Sequence, residues 1–230
     1  MKKSLLVLAL ATAFAPMAAQ AEAGDWVVRV RAANVAPNEN SDLGKYVNAL
    51  NPAFMNVGGE LSVNNNVIPE LDISYYITKN IAAELILALG TEHDVSIVKS
   101  TGAVTNQHLG SVDLLPPTLT LQWHFNPDQT FDPYVGAGIN YTVSLDKNLA
   151  FSQTGLPYSK IKIDRSSLGL AAQAGLDINL KDGWLVNFDV KYVQIDTDVQ
   201  MQTTATGAWT KIDSLDIDPW VFGVGIGKKF

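Results

Sequence analysis

Residues 113–125 read DLLPPTLTLQWHF. Leu119, Leu121, Trp123 and Phe125 alternate with Thr118, Thr120, Gln122 and His124, the period-two pattern of a strand with one apolar face. Pro116 and Pro117 stand directly before it. Proline has no N–H to give to a ladder and is tolerated in sheets mainly at edges, strand starts and bulges. A strand that must pair on both sides would therefore begin with two residues that cannot pair fully.

The same alternation recurs along the chain. It runs through Trp26–Ala33, Glu70–Ile77, Ile81–Gly90, Thr118–Phe125, Tyr134–Val143, Ser167–Leu180, Trp184–Tyr192 and Trp220–Gly227, which makes eight segments. The connections alternate too. Residues 78–80, 126–133 and 181–183 are short or turn-like, whereas 34–66, 91–112, 144–166 and 194–214 are long. Short turns on one side and long loops on the other are the plan of an outer-membrane barrel, with the long loops outside the cell. The expected fold is an all-β, eight-stranded antiparallel up-and-down transmembrane β-barrel.

The two faces of the segments separate a membrane barrel from a soluble one. A soluble barrel turns its apolar face inward, and a membrane barrel turns it to lipid. Here the apolar face carries Trp26, Trp123, Phe125 and Trp184 beside the short turns, and Tyr141, Tyr192 and Trp220 toward the long connections. Two aromatic belts are what two membrane interfaces require. The opposite face carries Arg29, Arg31, Asp72, Glu84, Asp177, Asp189 and Lys191, which lipid would not tolerate. An eight-stranded lumen has room only for side chains or one small ligand, so these charges are expected to plug it as an ion network. The Gly24-Asp25-Trp26 opening matches the weak Gly-x-Trp start of lipocalins, the soluble alternative.

Before the barrel, Lys2 and Lys3, the apolar stretch Leu5–Phe14 and Ala19-Gln20-Ala21 read as a secretory leader covering residues 1–21, cut before Glu22. Residues 22–230 then form a single domain. Without the leader, 14 basic residues face 23 acidic ones, an acidic balance that argues against nucleic acid as a partner. There is no cysteine, so an exported chain must hold together through its ladder rather than through disulfides. Phe230 closes the last alternating segment with the aromatic terminus that barrel-assembly machinery reads, although Lys228 interrupts the apolar spacing.

Chemistry-bearing motifs are sparse. His93, His108 and His124 lack metal-ligand spacing, and no cofactor or catalytic residue is expected. His124, beside Gln122, reads as a hydrogen-bonded interior residue. His108 with Ser111 imitates the His and Ser of lipid A enzymes, but the sequence offers no third orienting group. Gly136-Ala137-Gly138 lacks the strand-to-helix setting of a nucleotide loop and reads as close packing. Asn140-Tyr141-Thr142 matches a glycosylation sequon inside a strand.

Five stretches, LPPTLTLQWHF (115–125), PYVGAGINYT (133–142), AAQAGLDINL (171–180), WLVNFDVKYVQIDT (184–197) and DPWVFGVGIGKKF (218–230), resemble the OmpW family of small outer-membrane barrels in the same order. The resemblance implies a barrel with an apolar channel open to the outside and blocked toward the periplasm. Small hydrophobic molecules would enter from outside and leave sideways into the membrane, past lipopolysaccharide, without an energy source or cofactor. It also implies an apolar pair at the channel floor, which aligns with Ile86 and Lys191; lysine stands there where a tryptophan is frequent. A lysine stem can still line an apolar wall. The barrel is expected to be a monomer in contact with outer-membrane lipid and lipopolysaccharide. The other readings are a surface anchor for adhesion or for phage or bacteriocin docking, and a lipid A-modifying enzyme. Leu43, Val47, Leu50, Phe54, Met55, Leu149, Phe151, Leu156 and Trp209 are candidates for the mouth.

Two readings of the prolines remain. Ten residues from Pro116 to Phe125, at ~3.3 Å each and about 40° tilt, rise about 25 Å, the height of the apolar band. The prolines then sit near the outer hydrocarbon boundary, where a strand can simply start. In the family this segment borders the proposed side opening, so Leu115, Pro116 and Pro117 are expected to edge a lateral slot. A ladder continuous across Val95–Val98 and Leu114–Thr118 would close it.

Overall fold

The computed structural model describes residues 22–150, 160–202 and 207–230, apart from the side chains of 146–148. The leader and the mouth candidates Phe151 and Leu156 lie outside the described residues. The strands are β1 (Trp26–Ala36), β2 (Glu60–Val63), β3 (Asn66–Tyr76), β4 (Ile81–Ala88), β5 (Thr91–Val98), β6 (Gln107–Leu115) and β7 (Thr118–His124). There follow β8 (Phe131–Leu149), β9 (Ile161–Ile163), β10 (Ser166–Asn179), β11 (Trp184–Val193), β12 (Asp196–Gln202), β13 (Trp209–Asp216) and β14 (Trp220–Lys229). The helix α1 (Leu43–Leu50) lies between β1 and β2. Among the described residues no helix is long and apolar enough to cross a membrane.

Eight of these strands, β1-β3-β4-β7-β8-β10-β11-β14, pair antiparallel in that order, and β14 closes on β1. The seam is tied at its end by reciprocal backbone bonds between Trp26 and Phe230, at 3.1 and 2.8 Å. Closure removes every strand edge from the barrel, which is the condition for a sheet in hydrocarbon. Period-two side-chain direction then sends one set of residues out and the other in. Trp123, Phe125 and Trp184 are exposed near the short-turn end. Tyr141 and Trp220 are exposed near the other end, where the Tyr192 and Trp220 rings lie 5.2 Å apart.

The inward set is crowded, and β14 makes room with glycine. Gly225 pairs with Arg31, and a Cβ on it would come within 2.1 Å of the Val30 carbonyl oxygen. Only a bare backbone fits beside the arginine stem there.

The four long connections depart from the loops expected over 34–66, 91–112, 144–166 and 194–214, because each carries regular structure. β2, β5 and β6 pair onto the upper part of β8, and β9, β12 and β13 form a second, three-stranded sheet. The barrel strand expected to stop at Val143 continues to Leu149, because β6 offers it a new partner. Leu61, Val95, Leu109, Ile161, Val199 and Ile212 from these pieces form one buried apolar cluster with Leu43 and Val47 of α1. Four mouth candidates, Leu43, Val47, Met55 and Leu149, are buried in that cluster, while Leu50, Phe54 and Trp209 are exposed.

Candidate functional site

Register places the charges of the lower lumen. Arg29 lies opposite Asp72 and Arg31 opposite Glu70 across the β1–β3 pair, and Ser74 lies opposite Glu84 across β3–β4. The Arg29 guanidinium reaches across the barrel to Asp177, with Nη2 2.5 Å from Oδ2, and donates to Ser74 Oγ at 2.7 Å. Arg31 Nε lies 2.8 Å from Glu70 and its Nη2 2.5 Å from Asp72, while Nη1 donates to Asn187 Oδ1 at 2.9 Å. Lys191 Nζ donates to Glu70 and to Asp189, both at 2.8 Å. Glu84 accepts from Gln122 Nε2 at 2.7 Å and Gln173 Nε2 at 3.0 Å. All eight charged groups are at most 6% exposed. Charges held out of water at this density persist only when paired and hydrogen-bonded, so each depends on its neighbours.

The seven charged residues expected in the ion network, Lys191 among them, therefore meet in one cluster. The sequence reading missed Glu70, which bridges Arg31 and Lys191. Its signal was present, since Glu70 shares the inward face with Asp72. Lys191, expected both in the ion network and at the channel floor, pairs with Glu70 and Asp189 in this cluster and also lines the cavity above it. Ile86, opposite Asp72 across β3–β4, is buried beside the cluster, 2% exposed. Nearer the short turns, His124 Nδ1 lies 2.7 Å from Asp132 and 3.2 Å from Tyr76 Oη. His124, Asp132 and Asp177 bring ligand atoms within 4.8 Å of one another, a geometry that suits a cation, and the Arg29 guanidinium already supplies one.

Above the ions the lining turns apolar. A lower cavity of about 680 Å³, including space open to solvent, has Glu70 and Lys191 at its base and Val35, Ile68, Ile86, Ala88 and Pro116 around it. An upper cavity of about 670 Å³ is lined by Leu61, Val95, Leu109, Leu149, Ile161 and Leu215, among others. Val63, His93, Leu114, Ile195 and Ile217 line both, so the two adjoin.

The wall beside the lower cavity is interrupted. β4 pairs with β7 from Ile81 with Trp123 up to Ile86 with Thr118. The next pair across this seam is Thr91 with Leu114, between β5 and β6. Leu87–Gly90 and Leu115–Pro117 have no ladder partner across it. Val95 and Ile97 pair with Gly110 and Gln107, so the register differs from the one that would have set Val95–Val98 against Leu114–Thr118. The carbonyls freed near the gap find other donors: Asn140 Nδ2 donates to Pro116 O at 3.2 Å, and Tyr141 N to Pro117 O at 3.0 Å. The prolines and the interruption of the ladder thus coincide.

At the catalytic candidate, Asp94 Oδ1 lies 4.0 Å from His108 Nε2, beyond hydrogen-bond range, and both side chains are more than half exposed. Such a wet site gives little electrostatic leverage for chemistry.

An all-β barrel closed on itself, belted with aromatics and filled with charge, is an outer-membrane protein. A model of the OmpW family matches residues 22–230, and the chain belongs to that family. It is 37% identical to the outer membrane protein W of Vibrio cholerae serotype O1, with all of both chains covered. A more distant relative, 24% identical over 91% of this chain and 90% of its own, is the dibenzothiophene metabolism operon protein PahQ of Pseudomonas aeruginosa. The crystal structure of the outer membrane protein OprG from Pseudomonas aeruginosa superposes with a TM-score of 0.77 at 28% identity, covering 93% of this chain and 99% of that one.

Proposed function

We propose that the protein is a passive channel through which small hydrophobic molecules cross the lipopolysaccharide layer, enter the apolar cavities from outside and leave sideways past Leu115, Pro116 and Pro117 into the membrane. The observation that carries this reading is the seam unpaired at Leu87–Gly90 and Leu115–Pro117, beside an apolar cavity. The cluster of Arg29, Arg31, Asp72, Glu84, Asp177 and Asp189 beneath it supports a block toward the periplasm. Hydrocarbon beyond the gap accepts an apolar solute readily, so the route needs no energy source. A relative named for a dibenzothiophene metabolism operon fits an apolar, aromatic solute. Ile86 and Lys191 border the cavity base on this reading, Phe230 presents the assembly signal, and the barrel works as a monomer without catalysis.

Vesicles with a lipopolysaccharide outer leaflet test it, because plain phospholipid passes apolar solutes unaided. The protein should give saturable uptake of naphthalene, and Ala88→Trp, which fills the cavity beside Pro116, should abolish most of it while the barrel still folds. Uptake equal to that of protein-free vesicles would overturn the proposal.

A further inference from the structure

His93 is a polar residue on an apolar route. On β5 it shares the inward face with Thr91 and Val95, lies opposite Val112 on β6, and is 5% exposed. It lines both cavities, so it stands where they adjoin. Its Nδ1 lies 3.0 Å from the Asn64 carbonyl oxygen. A carbonyl only accepts, so Nδ1 carries the proton and, in a neutral ring, Nε2 is left as an acceptor. Burial lowers the His93 pKa below its ordinary value, which keeps the ring neutral. Among the described residues nothing hydrogen-bonds to Nε2.

A second polar group lies on the same path. Ser144 lines the upper cavity, and among the described residues its buried Oγ has no hydrogen-bond partner. Ser144 pairs with Leu114 across β6–β8, and Leu114 lines both cavities as His93 does. An unmet buried polar atom costs about 1–3 kcal/mol, and a ligand that meets it recovers part of that. Pure hydrocarbons cannot do so.

We propose that Ser144 and His93 select, among hydrophobic solutes, those with a single hydroxyl: alcohols and phenols whose O–H donates to His93 Nε2 on the way from the upper to the lower cavity. This rests on the channel reading above and names its solute class. The ring accepts without carrying charge, so it favours a neutral donor over a carboxylate, which can only accept. One unmet buried hydroxyl, Ser144 Oγ, and the unused His93 acceptor offset the dehydration of one solute hydroxyl, while the hydrocarbon body is held by the leucine and valine lining.

The test compares 4-methylphenol with p-xylene, which differ by a hydroxyl in place of a methyl, in the lipopolysaccharide-faced vesicles. His93→Asn keeps a donor near the Nδ1 position for Asn64 and leaves no acceptor at the Nε2 position. It should lower 4-methylphenol uptake about tenfold relative to p-xylene, the worth of one buried hydrogen bond. His93→Gln, which returns an acceptor near the Nε2 position, should restore most of that ratio, and both variants are first checked for the folded-barrel gel shift. An unchanged ratio in His93→Asn, or equal loss of both solutes in both variants, would overturn the selectivity and leave the channel standing. Wild-type uptake of neither solute above protein-free vesicles would instead sink the channel reading, and this inference with it.

Discussion

The lower and upper halves of the lumen solve one space problem in opposite ways. In the lower lumen, up to the level of Glu70, three cations and five carboxylates fill the barrel, each held by at least one partner from another strand. Above them, β2, β5 and β6 extend the barrel sheet beyond the eight-fold ring and share one cluster of leucine, valine and isoleucine side chains with the separate three-stranded sheet. Ion pairs demand exact neighbours and leave no space when satisfied. Apolar side chains make no directional demand, so their packing can leave cavities that an apolar guest fills. A charge-filled half and a half with apolar cavities therefore arise in one barrel from the chemistry of its inward residues.

The largest effect should come from breaking the lower half. Arg31→Met leaves Glu70, Asp72 and Asp189 without their shared cation and should cost about 3–5 kcal/mol, read as a fall in the urea midpoint of reversible folding into vesicles. Replacing Arg29 and Asp177 together by Met and Leu should cost far less, because the pair leaves as one and Glu84 keeps Arg31 and the Gln122 and Gln173 donors. A small loss in Arg31→Met would mean that the lower charges are not mutually dependent.

A moderate effect is expected at the boundary between the halves. Pro116→Val with Pro117→Thr supplies two N–H donors at the interrupted seam. Amide exchange should show new protection at Leu87–Gly90, naphthalene uptake should fall severalfold, and stability should move by under ~1 kcal/mol. Protection gained with uptake intact would separate the prolines from the route.

The smallest effect concerns pH in the upper half. His93 has a pKa lowered from the ordinary 6.5 by burial, so the folded protein binds fewer protons than the unfolded chain between its folded pKa and that value. Its contribution to stability is full above pH 6.5 and is lost as pH falls through the folded pKa. Amide protection in β5 and β6 should decline over that window in wild type and stay level in His93→Gln, while the lower half holds. An NMR titration placing the His93 imidazole above 6.5 would reverse the sign.

Much of this was legible in the chain. The segment Thr118–Phe125 declares a half-apolar strand by itself, and Arg29 and Arg31 declare an interior face because lipid rejects them. The upper strands were harder to see, although Thr91, His93, Val95 and Ile97 alternate with Glu92, Asp94, Ser96 and Val98 in the same period. Their polar outward residues resemble those of a solvated loop, and their partners lie far off in sequence. His93 showed no signal as a site, since a lone histidine acquires meaning only from the carbonyl and the cavities beside it.

The sequence by itself determined which residues face lipid, which face the lumen and on which side the connections are long, because period two and the exclusion of charge from hydrocarbon are local rules. Only the tertiary structure decided that Glu70 joins Arg31 to Lys191, that the ladder is interrupted between Ile86 and Thr91, and that Pro116 and Pro117 stand at that interruption. Those are matters of register between strands, and one residue of slip would turn every inward charge to the lipid.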